Sequence, residues 1–208
     1  DEGFIALQVH GIRDHKEKEG LQVRWRNLRI MTGKKAWAHN QTMDIPQKTN
    51  LYNQLTEQEK EEGWQLLFNG KNHEGWRGAN KEQFPEKGWM VHNAAMTVTA
   101  EGGGEAEQGG DIVTEEEFSD FDLELDFRMT KGANSGIKYY VTEKAGPHKG
   151  SAFGLEYQIL DDKNHPDAKK GRNGNRTLAS LYDLIPAKNK EPNSLGDWNH
   201  ARILSKDN

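Results

Sequence analysis

Residues 121 to 129, FDLELDFRM, alternate without a break: Phe121, Leu123, Leu125, Phe127 and Met129 fall on one side, and Asp122, Glu124, Asp126 and Arg128 on the other. A helix would scatter the two sets around its circumference. A strand separates them completely, because successive side chains project to opposite faces. The apolar set is expected to be core. The polar set is either an ordinary wet face or the floor of a concave sheet that binds sugar.

The same reading finds further strands at 64–69, 89–93, 95–100, 110–115, 136–142, 153–160, 179–185 and 198–204, with turn residues between them. Many short strands and almost no helix predict an all-β fold, a β-sandwich or jelly roll. The exception is TEQEKEE at 56–62, a capping box in which the Thr56 hydroxyl and the Glu59 carboxylate bond reciprocally to each other's amides; it predicts one short helix before the main domain. Upstream, FIALQV (4–9) and LQVRWRNLRI (21–30) are expected to form a hairpin around a charged loop. Leu21, Val23 and Trp25 alternate there with Gln22, Arg24 and Arg26. Residues 31–55 lose periodicity and are expected to be a linker.

With 208 residues, 33% hydrophobic and 29% charged, and 22 glycines, the chain can build one sizeable core with large loops. A net charge of -5, with Lys and Arg scattered along the chain, offers no phosphate-binding stripe, so nucleic acid is not an expected partner. No apolar run approaches the roughly 20 residues of a bilayer span, and the chain is expected to be soluble as given. The absence of cysteine excludes disulfides, thiolate metal sites and a cysteine nucleophile.

Seven segments taken in order, LLFNGKNHEGW (66–76), WMVHNAAMTV (89–98), GGDIVTEEEFSDFDLELDFR (109–128), ANSGIKYYV (133–141), GLEYQILDDKNHPDA (154–168), SLYDLIPA (180–187) and GDWNHARI (196–203), resemble the 3-keto-disaccharide hydrolase family. The resemblance implies a concanavalin A-like lectin/glucanase jelly roll, a glycoside or oligosaccharide substrate, and a periplasmic or secreted location. Members close with segments of the form GxIxLQxHG and VxFRNIxI. Here the matching GFIALQVHGI and VRWRNLRI stand at residues 3–30. The expected organisation is therefore a closing hairpin at 1–30 like the tail of a preceding copy, a linker at 31–55, and a jelly roll at 56–208 without its own final strands. The alternative is a permuted domain whose N-terminal segment fills that gap, within one chain or by a strand swap in a homodimer.

The resemblance implies attack on glycosides already oxidised at C3. The ketone acidifies the C2 proton, so the glycosidic bond can break by elimination across C1 and C2, with water then adding to the enone. Such a site needs a base near C2, a donor or cation at the enolate oxygen and an acid for the leaving group. Glu156 is the first candidate for base or metal ligand, with Gln158 at i+2 on the same strand face. Asp161 and His165, just beyond the strand, are candidates for acid, base or ligand. Lys138 on the neighbouring strand is a candidate cation for the enolate oxygen. Glu156, Asp161 and His165 together suit a divalent metal, with Ca, Zn and Mn left open. Asn134 and Ser135, in an NSG match read as a turn, are candidate substrate contacts, and Tyr182 and Trp198 could stack on a sugar ring.

Two rival readings remain. Glu156, Gln158 and Asp161 imitate the spacing of a retaining glycosidase, but an offset of five reverses faces unless a bulge intervenes. Even then four residues at ~3.3 Å separate the α-carbons by roughly 13 Å, where that mechanism wants carboxyls ~5 to 5.5 Å apart. A non-catalytic carbohydrate-binding jelly roll is the other.

Overall fold

A computed structural model describes residues 2–9, 22–33, 51–99, 109–143 and 152–207. It is an antiparallel β-sandwich. Among the described residues the strands are β1 (Phe4–Leu7), β2 (Val23–Thr32), β3 (Gln65–Leu66), β4 (Trp76–Gly78), β5 (Trp89–His92), β6 (Ala95–Val98), β7 (Ile112–Thr114), β8 (Phe121–Met129), β9 (Asn134–Thr142), β10 (Phe153–Leu160) and β11 (Asn199–Ser205), with the α-helix α1 (Glu57–Glu62). One sheet runs β10-β9-β1-β7-β4; the other runs β11-β8-β2-β6-β5, with β3 on the far end of β2.

The alternation in β8 places its apolar face as expected. Phe121, Leu123, Leu125, Phe127 and Met129 are all buried, against Ile5, Leu7, Ile137 and Ile159 of the facing sheet. At Asp122 and Glu124 its polar face departs from both readings offered by the sequence. Asp122 and Glu124 are buried ion-pair partners: Arg202 on β11 grips Asp122 through two bonds of 2.8 and 2.6 Å, and Arg29 on β2 bridges Glu124 to Glu59 of α1. Alternation identifies which side faces away from the core, but not what is laid across it. Here α1, capped by the Thr56–Glu59 box, is tied to that side through the Arg29 bridge between Glu59 and Glu124.

The N-terminal strands are not a hairpin. β1 pairs with β7 and β9 in one sheet, and β2 with β3, β6 and β8 in the other, so each occupies a middle position. Without them the first sheet would split into β10-β9 and β7-β4, and the second into β11-β8 and β6-β5. The connecting residues 10–21 lie outside the described residues, as do 34–50 of the expected linker. A bulge between Arg26 and Arg29, with Asn27 at φ 54°, lets β2 turn Trp25 and then Leu28 and Ile30 inward. Asn53, within the expected linker, is buried and exchanges side-chain-to-amide bonds with Asn27.

Two further expectations change. The segment 179–185 is not a strand but bends along the free edge of β10, where the Gln158 amide donates to the Ser180 carbonyl and the Ala179 and Tyr182 amides donate to the carbonyls of Gln158 and Glu156. An edge is thereby covered. Asn134-Ser135-Gly136 is no turn: β9 begins at Asn134, and Gly136 is absent from the positive-φ positions. Among the described residues no helix is long and apolar enough to cross a membrane.

Candidate functional site

On β9 and β10 every second residue faces away from the core: Asn134, Gly136 and Lys138 on one, Glu156 and Gln158 on the other. The register sets Gln158 opposite Gly136 and Glu156 opposite Lys138. The Glu156 side chain lies across Gly136. A Cβ built there would sit 2.2 Å from Glu156 Oε1 and 2.7 Å from its Cγ and Cδ. Glycine is required at 136 by this close approach, not by a turn.

The chain contributes a third strand to this face. Gln8, immediately after β1, donates from Nε2 to Glu156 Oε2 at 3.3 Å; its own amide donates to the Gly136 carbonyl, and its carbonyl accepts from the Ser135 hydroxyl. Ser135 thus holds β1 rather than facing the site. Gln158 donates from Nε2 to Asn134 Oδ1 at 3.3 Å. Gln8 and Gln158 are both buried, yet the Oε1 atom of each lacks a hydrogen-bond partner among the described residues. A buried acceptor left so carries an appreciable desolvation cost, which a ligand hydroxyl would relieve. The site therefore presents a carboxylate flanked by two oriented amide oxygens.

Lys138 stands next to this cluster but is committed elsewhere. Its Nζ donates to Asp111 Oδ2 at 2.9 Å and to the Ala152 carbonyl at 3.0 Å, and both charged side chains are buried. Asp111 also accepts from the amides of Val9 and Ala152.

Asp161 and His165 do not join Glu156. Asp161 Oδ1 accepts from the amides of Lys163 and Asn164, and Oδ2 from the Gly132 amide and the Asn164 side chain, each Oδ2 bond at 2.7 Å. Burial works to raise its pKa, but the donors at Gly132, Asn164 and Lys163 outweigh it and hold the carboxyl below its usual value. His165 caps the 3-10 turn Pro166–Lys169, its Nδ1 accepting from the Asp167 amide. With Asp161 saturated and His165 turned to a cap, the candidate ligands Glu156, Asp161 and His165 do not fit a shared metal site. No group of three or more His, Asp or Glu that could hold a metal occurs among the described residues.

A depressed folded-state pKa means that Asp161 contributes stability above the unfolded value near ~3.9, lost as pH falls through the folded value. Asp161→Ala is accordingly expected to lower stability by about 1–3 kcal/mol at pH 7. The gap from the parent chain should narrow at pH 3, as read from urea midpoints.

The aromatic candidates separate. Tyr182 is near the cluster: its amide bonds Glu156, its hydroxyl donates to Asp167 at 3.0 Å, and Arg176 lies 5.2 Å from its ring. Burial, then the Asp167 bond and the negative charges of Asp167 and Glu156, keep its phenol protonated well above the ordinary range. Trp198 precedes β11 in the other sheet, with the Arg26 guanidinium 3.9 Å from its ring centre, so it does not meet Glu156.

Sequence reasoning missed Gln8, Asp111 and the real duty of Gly136. Gln8 stood in the quoted closing motif GFIALQVHGI, but its 148-residue separation from Glu156 hid the contact.

Two antiparallel sheets with a carboxylate and amides gathered on one face define a β-sandwich of the jelly-roll class. The chain belongs to the family of 3-keto-alpha-glucoside-1,2-lyase-like domains, whose model matches residues 63–208. It is 40% identical over 153 residues to the 3-keto-disaccharide hydrolase of Bacteroides thetaiotaomicron, covering 69% of this chain and 52% of that protein. The chain thus spans about half the length of that curated relative. A crystal structure of a glycosyl hydrolase candidate from Parabacteroides distasonis ATCC 8503 superposes with a TM-score of 0.61 at 34% identity, over 74% of this chain and 69% of that one. The family match begins after β2, so Gln8 lies outside it.

Proposed function

We propose that this domain cleaves 3-keto-glycosides by elimination followed by hydration, with Glu156 as the base. The observation that carries the reading is the Glu156 carboxylate, laid over Gly136 and bonded by Gln8, between two buried amide oxygens. The carboxylate takes the C2 proton, and the C2–H electrons form the enolate conjugated with the C3 ketone. The enolate collapses to expel the C1 oxygen with its bonding pair, leaving a C1=C2 enone to which water adds at C1. The amide oxygens of Gln8 and Gln158 can accept from sugar hydroxyls and so hold C2 against the base. The 1,2-lyase in the description of the family agrees with elimination across these two carbons. A retaining glycosidase is disfavoured, because the carboxylate nearest in sequence to Glu156 on the strand's polar end, Asp161, spends both oxygens on the turn beside it. Export from the cytoplasm belongs to the same proposal.

Incubation with 3-keto-lactose or a 3-keto-glucoside in deuterated water tests it, with chelated and unchelated arms. Cleavage with solvent deuterium at C2 of the sugar product is expected. Cleavage of the unoxidised glycoside, or of the keto sugar without exchange at C2, would overturn elimination, and binding of glycan without any turnover would make the domain a carbohydrate-binding module.

A further inference from the structure

The second sheet carries a cationic, aromatic surface that the elimination chemistry does not use. Arg24 on β2 lies directly opposite Arg128 on β8, a like-charge cross-strand pair of the kind that destabilises a sheet. Neither has a carboxylate to answer it through a hydrogen bond among the described residues. Arg24 donates to the neutral Gln22 side-chain oxygen at 3.2 and 2.7 Å, while Arg128 lies 5.0 Å from the Trp198 ring centre. Burial and the nearby charges of Arg24 and Arg26 make Arg128 easier to deprotonate than usual, with Asp197 alone opposing them.

Arg26 completes the cluster. Its guanidinium is sandwiched between Tyr52 at 3.6 Å and Trp198 at 3.9 Å, and it shares Asp126 with Asn27 and His200. Tyr52 is 55% exposed, so its ring is fixed on one side by the arginine and offers the other to solvent. Arg26 is answered by Asp126, which Asn27 and His200 share, and this leaves Arg24 and Arg128 with the exposed Asp197 as the nearby negative charge. In a chain of net charge -5 this is a local excess of positive charge.

We propose that this face of the second sheet is a secondary binding site for an acidic saccharide, its carboxylate or sulfate bridging Arg24 and Arg128 and its sugar ring stacking on Tyr52. Guanidiniums match planar oxyanions through paired donors, an anion would relieve the repulsion across the two strands, and an aromatic face beside a charge suits a sugar ring. Because Glu156 belongs to the other sheet, such a site would anchor an acidic glycan without occupying the proposed reaction centre.

The test is calorimetric titration of the whole chain with an oligogalacturonate, a neutral galactose oligomer of the same length, and inorganic sulfate alone, at low and high salt. The acidic oligomer is expected to bind at least about tenfold more tightly than the neutral one, with the advantage falling at high salt. The double variant Arg24→Gln, Arg128→Gln should lose that advantage while keeping turnover at Glu156. Equal binding of acidic and neutral oligomers would overturn the proposal, and sulfate binding as tightly as the oligomer would overturn its saccharide part. Arg24→Gln alone, which removes a side chain bonded among the described residues only to Gln22, carries the same comparison should the double variant fail to fold.

Discussion

Gly136→Ala is expected to reduce turnover of a 3-keto-glycoside by about 10²-fold or more, approaching Glu156→Gln, for which loss of the base predicts about 10²–10⁴-fold. Stability should change by less than about 1 kcal/mol. The two expectations diverge for a geometric reason. The new methyl would meet Oε1, Cδ and Cγ of Glu156, part of a flexible side chain, and not backbone. The carboxylate can swing aside at little cost to the fold, and the φ of residue 136 is one that alanine accepts. Swinging aside breaks its bond to Gln8 and moves the base away from C2. The amide oxygens of Gln8 and Gln158 stay, so ground-state binding is retained, and the defect should appear in kcat with KM nearly unchanged. Steady-state kinetics beside a thermal melt decide the matter. Unimpaired turnover in Gly136→Ala would mean that the position of Glu156 over Gly136 is not the working one.

How much of this was legible in the sequence depended on how local the cause was. The inward face of β8 and the capping box of α1 follow from neighbours within a few residues, and both appear as read. The i, i+2 pair Glu156 and Gln158 likewise share a face because strand geometry leaves no alternative. The outward face of β8 was not legible, since Asp122 and Glu124 are buried by Arg202, Arg29 and α1, which come from distant parts of the chain. Asp161 and His165 looked like chemistry because acids and histidines beyond a strand end are also what a turn uses to bond its own amides. Gly136 looked like a turn for the converse reason: glycine signals both positive φ and close approach, and only the position of Glu156 distinguishes them. The closing motif at residues 3–30 was recognised, but its strands lie in different sheets, so one of them could bring Gln8 to a carboxylate 148 residues away.

Asp111→Ala should be the most destabilising of the changes considered, by about 3–5 kcal/mol, because it strips the partner from a buried charge. The Asp111 carboxylate has no exposed side-chain surface and accepts from Lys138 Nζ at 2.9 Å, the Val9 amide at 3.0 Å and the Ala152 amide at 3.1 Å. It therefore ties the end of β1, the middle of β9 and the approach to β10 to the start of β7. Removing it leaves the Lys138 ammonium with the Ala152 carbonyl. Lys138→Met is the milder change, about 1–3 kcal/mol, since Asp111 keeps two peptide donors to satisfy its charge. The pair should also couple by more than about 1 kcal/mol in a double-mutant cycle, read from urea unfolding. The order of the two single changes bears on the chemistry. If Lys138 served the enolate oxygen, Lys138→Met would abolish turnover even where the protein remained fully folded. If its duty is the ion pair that supports the floor beneath Glu156, turnover should follow the folded fraction, and the enolate oxygen must find its donor elsewhere on that face.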